Sequence, residues 1–353
     1  MARYPALNIM IFLVCTVSGC GSLSYYAQSV YGQLDVLQNR QPIDTLIKNN
    51  DLPPDTLAQL ALVGQIRGFA INELGLPDNN SYLDYVDLER DFVVWNVFST
   101  PELSLQSQQW CYLIVGCLNY RGYFSEDAAY TLARELENQG YDVFVGGVSA
   151  YSTLGWFADP VLSTMLHRGD AYLAKVIFHE LAHQKIYIKN DTEINEAFAD
   201  TVADAGMRRW LAKNNSPLSY EQFEKNQALE DVFVDLVLRY RNQLDSLYKS
   251  DIPDPEKRLN KSVILEKMIN EYKQINSGWN RHARYDAWFA TDLNNAKLMA
   301  VVTYRKYLAD FKKILLAVDD NLETFYHLVK QLHYCTQEQR RNILLSGNIH
   351  FTC

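Results

Sequence analysis

Residues 179–183 read His-Glu-Leu-Ala-His, inside a stretch, Ala174–Gln184, that is free of Gly and Pro and reads as one helix. Helical positions four apart share a face, so His179 and His183 converge as two ligands of one metal ion. Glu180 lies roughly 100° round the helix from His179, outside the ligand pair. It is placed to hold a zinc-bound water and take its proton. The chemistry implied is hydrolysis at a single Zn2+ ion. Three fixed letters are a weak filter, because a buried helix can carry two incidental histidines. A third ligand decides between the readings.

The second helix, opening at Asp191 after a turn at Lys189-Asn190, offers two carboxylates, Glu193 and Glu196. Glu193 sits in the first turn, where capping explains it. Glu196 lies one turn deeper and shares a face with Asp200. Ala197 and Ala199 let this helix approach the histidine helix closely. Glu196 then completes a His–His–Glu set with one position open for water. Asp200 is placed to accept the second ring N–H of a ligating histidine, fixing its tautomer.

The elements that must hold these residues follow a coarse order. Ser22 to Asn39 reads as a tether or a first helix. Thr56 to Leu74 has helical spacing, and Leu52-Pro53-Pro54-Asp55-Thr56 is a good helix start. Residues 92–98 and 110–115 are rich in aromatic and β-branched side chains and predict strands. A helix is expected from Ser125 to about Gln139, followed by a strand at Tyr141–Val145. Gly146 to Phe157 reads either as an edge strand that takes a substrate backbone or as a plain core strand. Beyond Tyr172 nearly everything is helical. The expected class is α+β, with a mixed first half carrying an edge strand and a mostly helical C-terminal half. The expected division is 1–19 as a signal peptide, 20–50 as tether and first helix, and 51–353 as the catalytic region, split at 215/216.

Composition narrows the partners. With 48% hydrophobic residues and a formal net charge of −9, a sizeable core is affordable and no basic cluster suggests nucleic acid. The N-terminus has Arg3, an apolar run at Ile9–Val14 too short to span a membrane, and Val17-Ser18-Gly19 before Cys20. These small residues ahead of a cysteine resemble the bacterial lipobox, in which Cys20 would carry lipid; a plain signal peptide is the competing reading. Four cysteines then remain, Cys111, Cys117, Cys335 and Cys353, an even number compatible with two disulfides. Three pairings are open, and Cys111–Cys117 requires a turn near Gly116.

At its two metal helices the chain resembles the gluzincins, the thermolysin-like zinc peptidases, through His-Glu-x-x-His followed by Asn195-Glu196-x-x-x-Asp200. More closely it is similar to a bacterial family of lipoprotein zinc aminopeptidases. That similarity extends to Tyr120-Arg121-Gly122-Tyr123-Phe124, to Ala150 through Pro160 and to Asn294-Asn295-Ala296-Lys297-Leu298. The twelve residues between His183 and Glu196 are a short link, leaving no room for an extra lobe.

The resemblance implies a gluzincin fold, a peptide substrate met by Tyr151, Ser152, Thr153, Leu154 and Gly155, and Glu180 as general base and later proton donor. It also implies an oxyanion-stabilising residue, for which His282, Tyr285 and Tyr304 are candidates and Tyr304 is favoured by its helix. The expected protein is a lipid-anchored zinc metallopeptidase facing the periplasm from the outer membrane, with aminopeptidase action taken from the family. A different class, an envelope binding or assembly factor with a structural zinc site, has no use for Glu180.

Overall fold

The computed structural model describes residues 20–112, 115–214, 217–278, 285–347 and 353. The expected signal peptide at 1–19 and His282 lie outside them. The chain is α+β, with small sheets in its first half and helices in its second. Helix α1 (Cys20–Gln38) leads through β1 (Gln41–Pro42) and α2 (Ile43–Asn49) to α3 (Pro54–Asn72), which begins at the Pro-Pro-Asp start seen in the sequence. Strand β2 (Asp84–Val86) lies between β1 and β8 (Val161–Leu162) in a first sheet.

The second sheet positions the site. Its order is β6-β3-β7, with β3 (Val94–Pro101) paired antiparallel to both β6 (Arg121–Tyr123) and β7 (Tyr141–Val148). Strand alternation sends Trp95, Val97 and Val143 to one face, where they pack on α4 (Glu126–Asn138). Phe98 goes to the other face with Ala296 and Ala300, and Asn96 shares that face with it. Helix α4 begins as expected, with Ser125 accepting from the Ala128 N–H. Between β3 and β6, a hairpin of β4 (Trp110–Tyr112) and β5 (Gly116–Leu118) sets Cys111 opposite Cys117. These two form a disulfide, as do Cys335 and Cys353. Gly116 has φ +82° and supplies the turn the first bridge needs.

After β8 come α5 (Ser163–Leu166), α6 (Asp170–Lys185), α7 (Thr192–Lys213), the long antiparallel pair α8 (Pro217–Tyr248) and α9 (Asp254–Gly278), α10 (Asp286–Ala290) and α11 (Asn295–Arg305). Helices α12 (Leu308–Ala317), α13 (Leu322–Gln331) and α14 (Gln337–Ser346) complete the chain. The main core joins α3, α6 and α7 to these last three helices, through Ile66, Phe178, Phe198, Phe311 and Phe325. A second core lies among α8 to α11, around Leu236, Met268 and Leu298. Among the described residues no helix is long and apolar enough to cross a membrane.

One expectation is corrected here. Residues 149–157 are not a strand: β7 ends at Val148, and a loop with φ +56° at Leu154 and +81° at Gly155 follows. The edge strand is β7 itself, bonded to β3 on one side only among the described residues. The loop is held by its own polar side chains. Thr153 donates to Asp159 through its N–H and its hydroxyl, competing with any ladder.

Candidate metal centre

Helices α6 and α7 pack side by side because their contact surface is small and apolar. Ala174, Ala182, Ala197, Ala199 and Ala203 are all buried. A Cβ at Gly206 would come within 2.7 Å of Leu74 and 2.9 Å of Phe178. The link between them is short and clamped: the Asn195 amide accepts from the Ile188 N–H at 2.7 Å and donates to the Ile188 carbonyl at 2.8 Å. Asn190 takes the left-handed conformation, φ +65°, at the expected turn.

This packing brings His179, His183 and Glu196 together. The two Nε2 atoms are 3.0 Å apart, and Glu196 Oε2 lies 3.3 Å from His179 Nε2 and 3.7 Å from His183 Nε2. Ligands about 2.1 Å from one tetrahedral ion stand roughly 3.4 Å from each other, so the triangle has the size that zinc requires. Two nitrogens, one carboxylate oxygen and a side open to a cavity could hold a metal ion with a position left for water. Glu193 is elsewhere, ion-paired with Lys306 at 2.6 Å.

Sixteen of the 22 residues of α7 are buried, so its acids need partners. Asp200 Oδ1 is 3.0 Å from His179 Nδ1, which fixes the proton on Nδ1 and leaves Nε2 as donor toward the centre. Its other oxygen meets Arg305 at 2.8 Å, and Arg305 reaches Glu230 at 2.5 Å. Asp204, one turn on, lies between Lys175 (2.8 Å) and Lys312 (2.9 Å). Burial raises the Asp200 and Asp204 carboxyls, but the neighbouring cations outweigh it and hold both below the usual carboxylate range. Glu196 also feels burial, which the two imidazoles overcome. Glu180 differs. It is 8% exposed, and burial raises its carboxyl above the ordinary value against the pull of the same imidazoles.

Of these groups, Lys175, His179, Glu180, His183, Glu196, Asp200 and Arg305 line a cavity of about 740 Å³. Its walls include Gly147 and Val148 of β7, Tyr151, Ser152 and Leu154 of the following loop, and Tyr304. Thr153 and Gly155 do not line it. Tyr304 accepts from the Asn96 amide at 3.5 Å, a long contact, and its hydroxyl is raised by burial and then by Glu196. Tyr285 does not line the cavity; it stacks on Phe233 with ring centroids 4.0 Å apart. Cys20 begins α1. The structure adds wall residues that no spacing reveals: Tyr120, Tyr187, Arg305, and Tyr25, Ser29 and Gln33 from α1. Of these, Tyr120 alone stands in a run that carries the family resemblance.

The family model described as "Putative aminopeptidase" matches residues 24–344, which takes in both metal helices, the sheet and the cavity walls. The chain belongs to that family. A peptidase-like function follows at the level of the family. No curated protein and no solved structure matches the chain.

Proposed function

We propose that this protein is a zinc metallopeptidase of the gluzincin type, with His179, His183 and Glu196 as ligands of one zinc ion. The observation that carries the reading is the convergence of these three donors, with Glu180 beside them, on one cavity. A zinc ion held there supplies Lewis acidity toward a water and toward the carbonyl of a bound peptide.

The chain's own groups do the rest. Glu180 takes the proton from the attacking water and passes it to the leaving amine nitrogen; its raised affinity for a proton suits both halves of that transfer. Tyr304 donates a hydrogen bond to the carbonyl oxygen as negative charge gathers on it. Asp200 keeps His179 in one tautomer. The free edge of β7 at Gly146–Val148 pairs with the substrate backbone, and Tyr151, Ser152 and Leu154 shape the space beside it.

Free-amine specificity rests on the family description. Among the described residues lining the cavity, the carboxylates are Glu180, Glu196 and Asp200, all engaged at the centre. We propose further that Cys20 carries lipid and that the protein works at the periplasmic side of the bacterial envelope, residues 1–19 having been removed as a signal peptide; the sequence Val17-Ser18-Gly19-Cys20 supports this.

Two measurements test the enzyme reading. Purified protein should hold one zinc per chain, and it should cleave free-amine peptides in preference to the same peptides N-acetylated. Equal cleavage of the pair would make it an endopeptidase. Metal-containing protein with no hydrolysis of either would leave the structural-zinc alternative.

A further inference from the structure

Helix α1 leaves large apolar side chains uncovered. Its inner side puts Val36 into the main core and ties polar groups to the protein: Gln28 accepts from the Phe124 N–H at 3.1 Å, Gln33 accepts from the Tyr151 hydroxyl at 2.6 Å, and Ser29 lines the cavity. Its outer side carries four large apolar side chains. Tyr26 is 48% exposed, Val30 58%, Tyr31 75% and Leu34 47%. The loop tied to α1 through Tyr151 and through the Arg40–Ala158 carbonyl contact exposes two more, Trp156 and Phe157. These two adjacent elements hold six of the fifteen large hydrophobic residues exposed among the described residues, so the pattern is a patch rather than scatter.

We infer that this patch rests on a lipid surface. Two observations favour lipid over a protein partner. No Asp, Glu, Lys or Arg occurs from Cys20 to Leu34, so α1 carries no charged side chain over its first fifteen residues, directly after the cysteine proposed to carry lipid. The patch is rich in Tyr and Trp, whose rings suit the boundary between water and hydrocarbon. The inference extends the anchoring reading but does not need the lipid on Cys20. The inner side of the same helix supplies Tyr25, Ser29 and Gln33 to the cavity wall. Contact through the outer side therefore holds the cavity close to the membrane in one orientation.

The test uses the chain from residue 20 onward with Cys20→Ser, which has no lipid, sedimented with vesicles of phosphatidylethanolamine and phosphatidylglycerol. It should bind them, with little change between low and high salt. The triple substitution Val30→Ser, Tyr31→Ser, Leu34→Ser should weaken binding by about tenfold or more while thermal unfolding stays as in the parent, since these side chains are exposed. Trp156→Ser with Phe157→Ser should weaken it too. The inference is overturned if the unlipidated chain stays in solution at every lipid concentration. It is equally overturned if the chain is a dimer that the serine substitutions dissociate, in which case a second copy covers the face. Anchoring is judged separately, by the mass of the native N-terminus with Cys20 in place.

Discussion

Arg305 holds Asp200 on the side opposite His179: one Asp200 oxygen lies 2.8 Å from the guanidinium while the other lies 3.0 Å from the imidazole Nδ1. The carboxylate is thus fixed from both ends, and with it the orientation of the ring. Asp200→Asn should lower zinc affinity roughly 10- to 100-fold. Arg305→Lys, which keeps the charge but loses the fork that also reaches Glu230, should lower it less. Competition with a chromogenic chelator measures both. Unchanged affinity in Asp200→Asn would show that the contact does not tune the centre.

Glu180 lies beside the three donors without belonging to the triangle. Glu180→Gln should therefore keep the metal and lose about 100-fold or more in kcat. Zinc content by atomic emission, read alongside peptide hydrolysis, separates this from a variant that fails to bind the ion. Retained activity in metal-loaded Glu180→Gln would remove Glu180 from the chemistry.

Tyr304 and Tyr120 both line the cavity, but only Tyr304 has the Asn96 amide against its hydroxyl. Loss of that hydroxyl in Tyr304→Phe should reduce kcat by about 100-fold with KM little changed, the pattern of a group that acts in the transition state. Tyr120→Phe should do much less. Steady-state kinetics on one free-amine peptide settles the comparison; the reverse order would assign the role to Tyr120.

Asp204 is fully buried between Lys175 and Lys312. Burial raises its carboxyl and the two lysines more than offset that, so its folded value lies below the ordinary 3.8. A depressed carboxylate adds stability that is complete above the unfolded value and is lost as pH falls through the folded one. Acid should therefore begin to destabilise the protein below about pH 4 through this residue. Asp204→Asn should cost about 3 kcal/mol near neutrality, because two half-buried cations lose a buried partner, and should flatten the acid limb. Chemical denaturation across pH gives both. An acid limb as steep in the variant as in the parent would place the sensitivity elsewhere.

The convergence of His179 and His183 was legible in the sequence because helical spacing is a geometric statement: four residues is about one turn. The helices that carry them were legible for the same reason, and so was the α+β order. The stretch at 149–157 was not. Its aromatic and small residues resemble a strand, yet Thr153 and Asp159 satisfy the backbone locally and Leu154-Gly155 turn it. Asn96, Tyr120 and Tyr187 were illegible for another reason. They come from separate elements, and only the antiparallel register of β3 with β6 and the fold of the link to α7 bring them to one cavity. Tyr25 of α1 was hidden because sequence gives no sign that a first helix will wall a site built some 150 residues later.

The buried charges along α7 have a consequence for how the centre fills. Lys175, Lys312 and Arg305 already neutralise Asp204, Asp200 and Glu230, and Asn195 already fixes the link. Among the described residues these buried charges are paired without an ion, so the scaffold is expected to fold before one binds. For the centre proposed, occupancy is then a matter of exchange with the surroundings, governed by how easily an ion enters the cavity. A stripped protein should stay folded and recover its metal by simple addition, with no refolding step between.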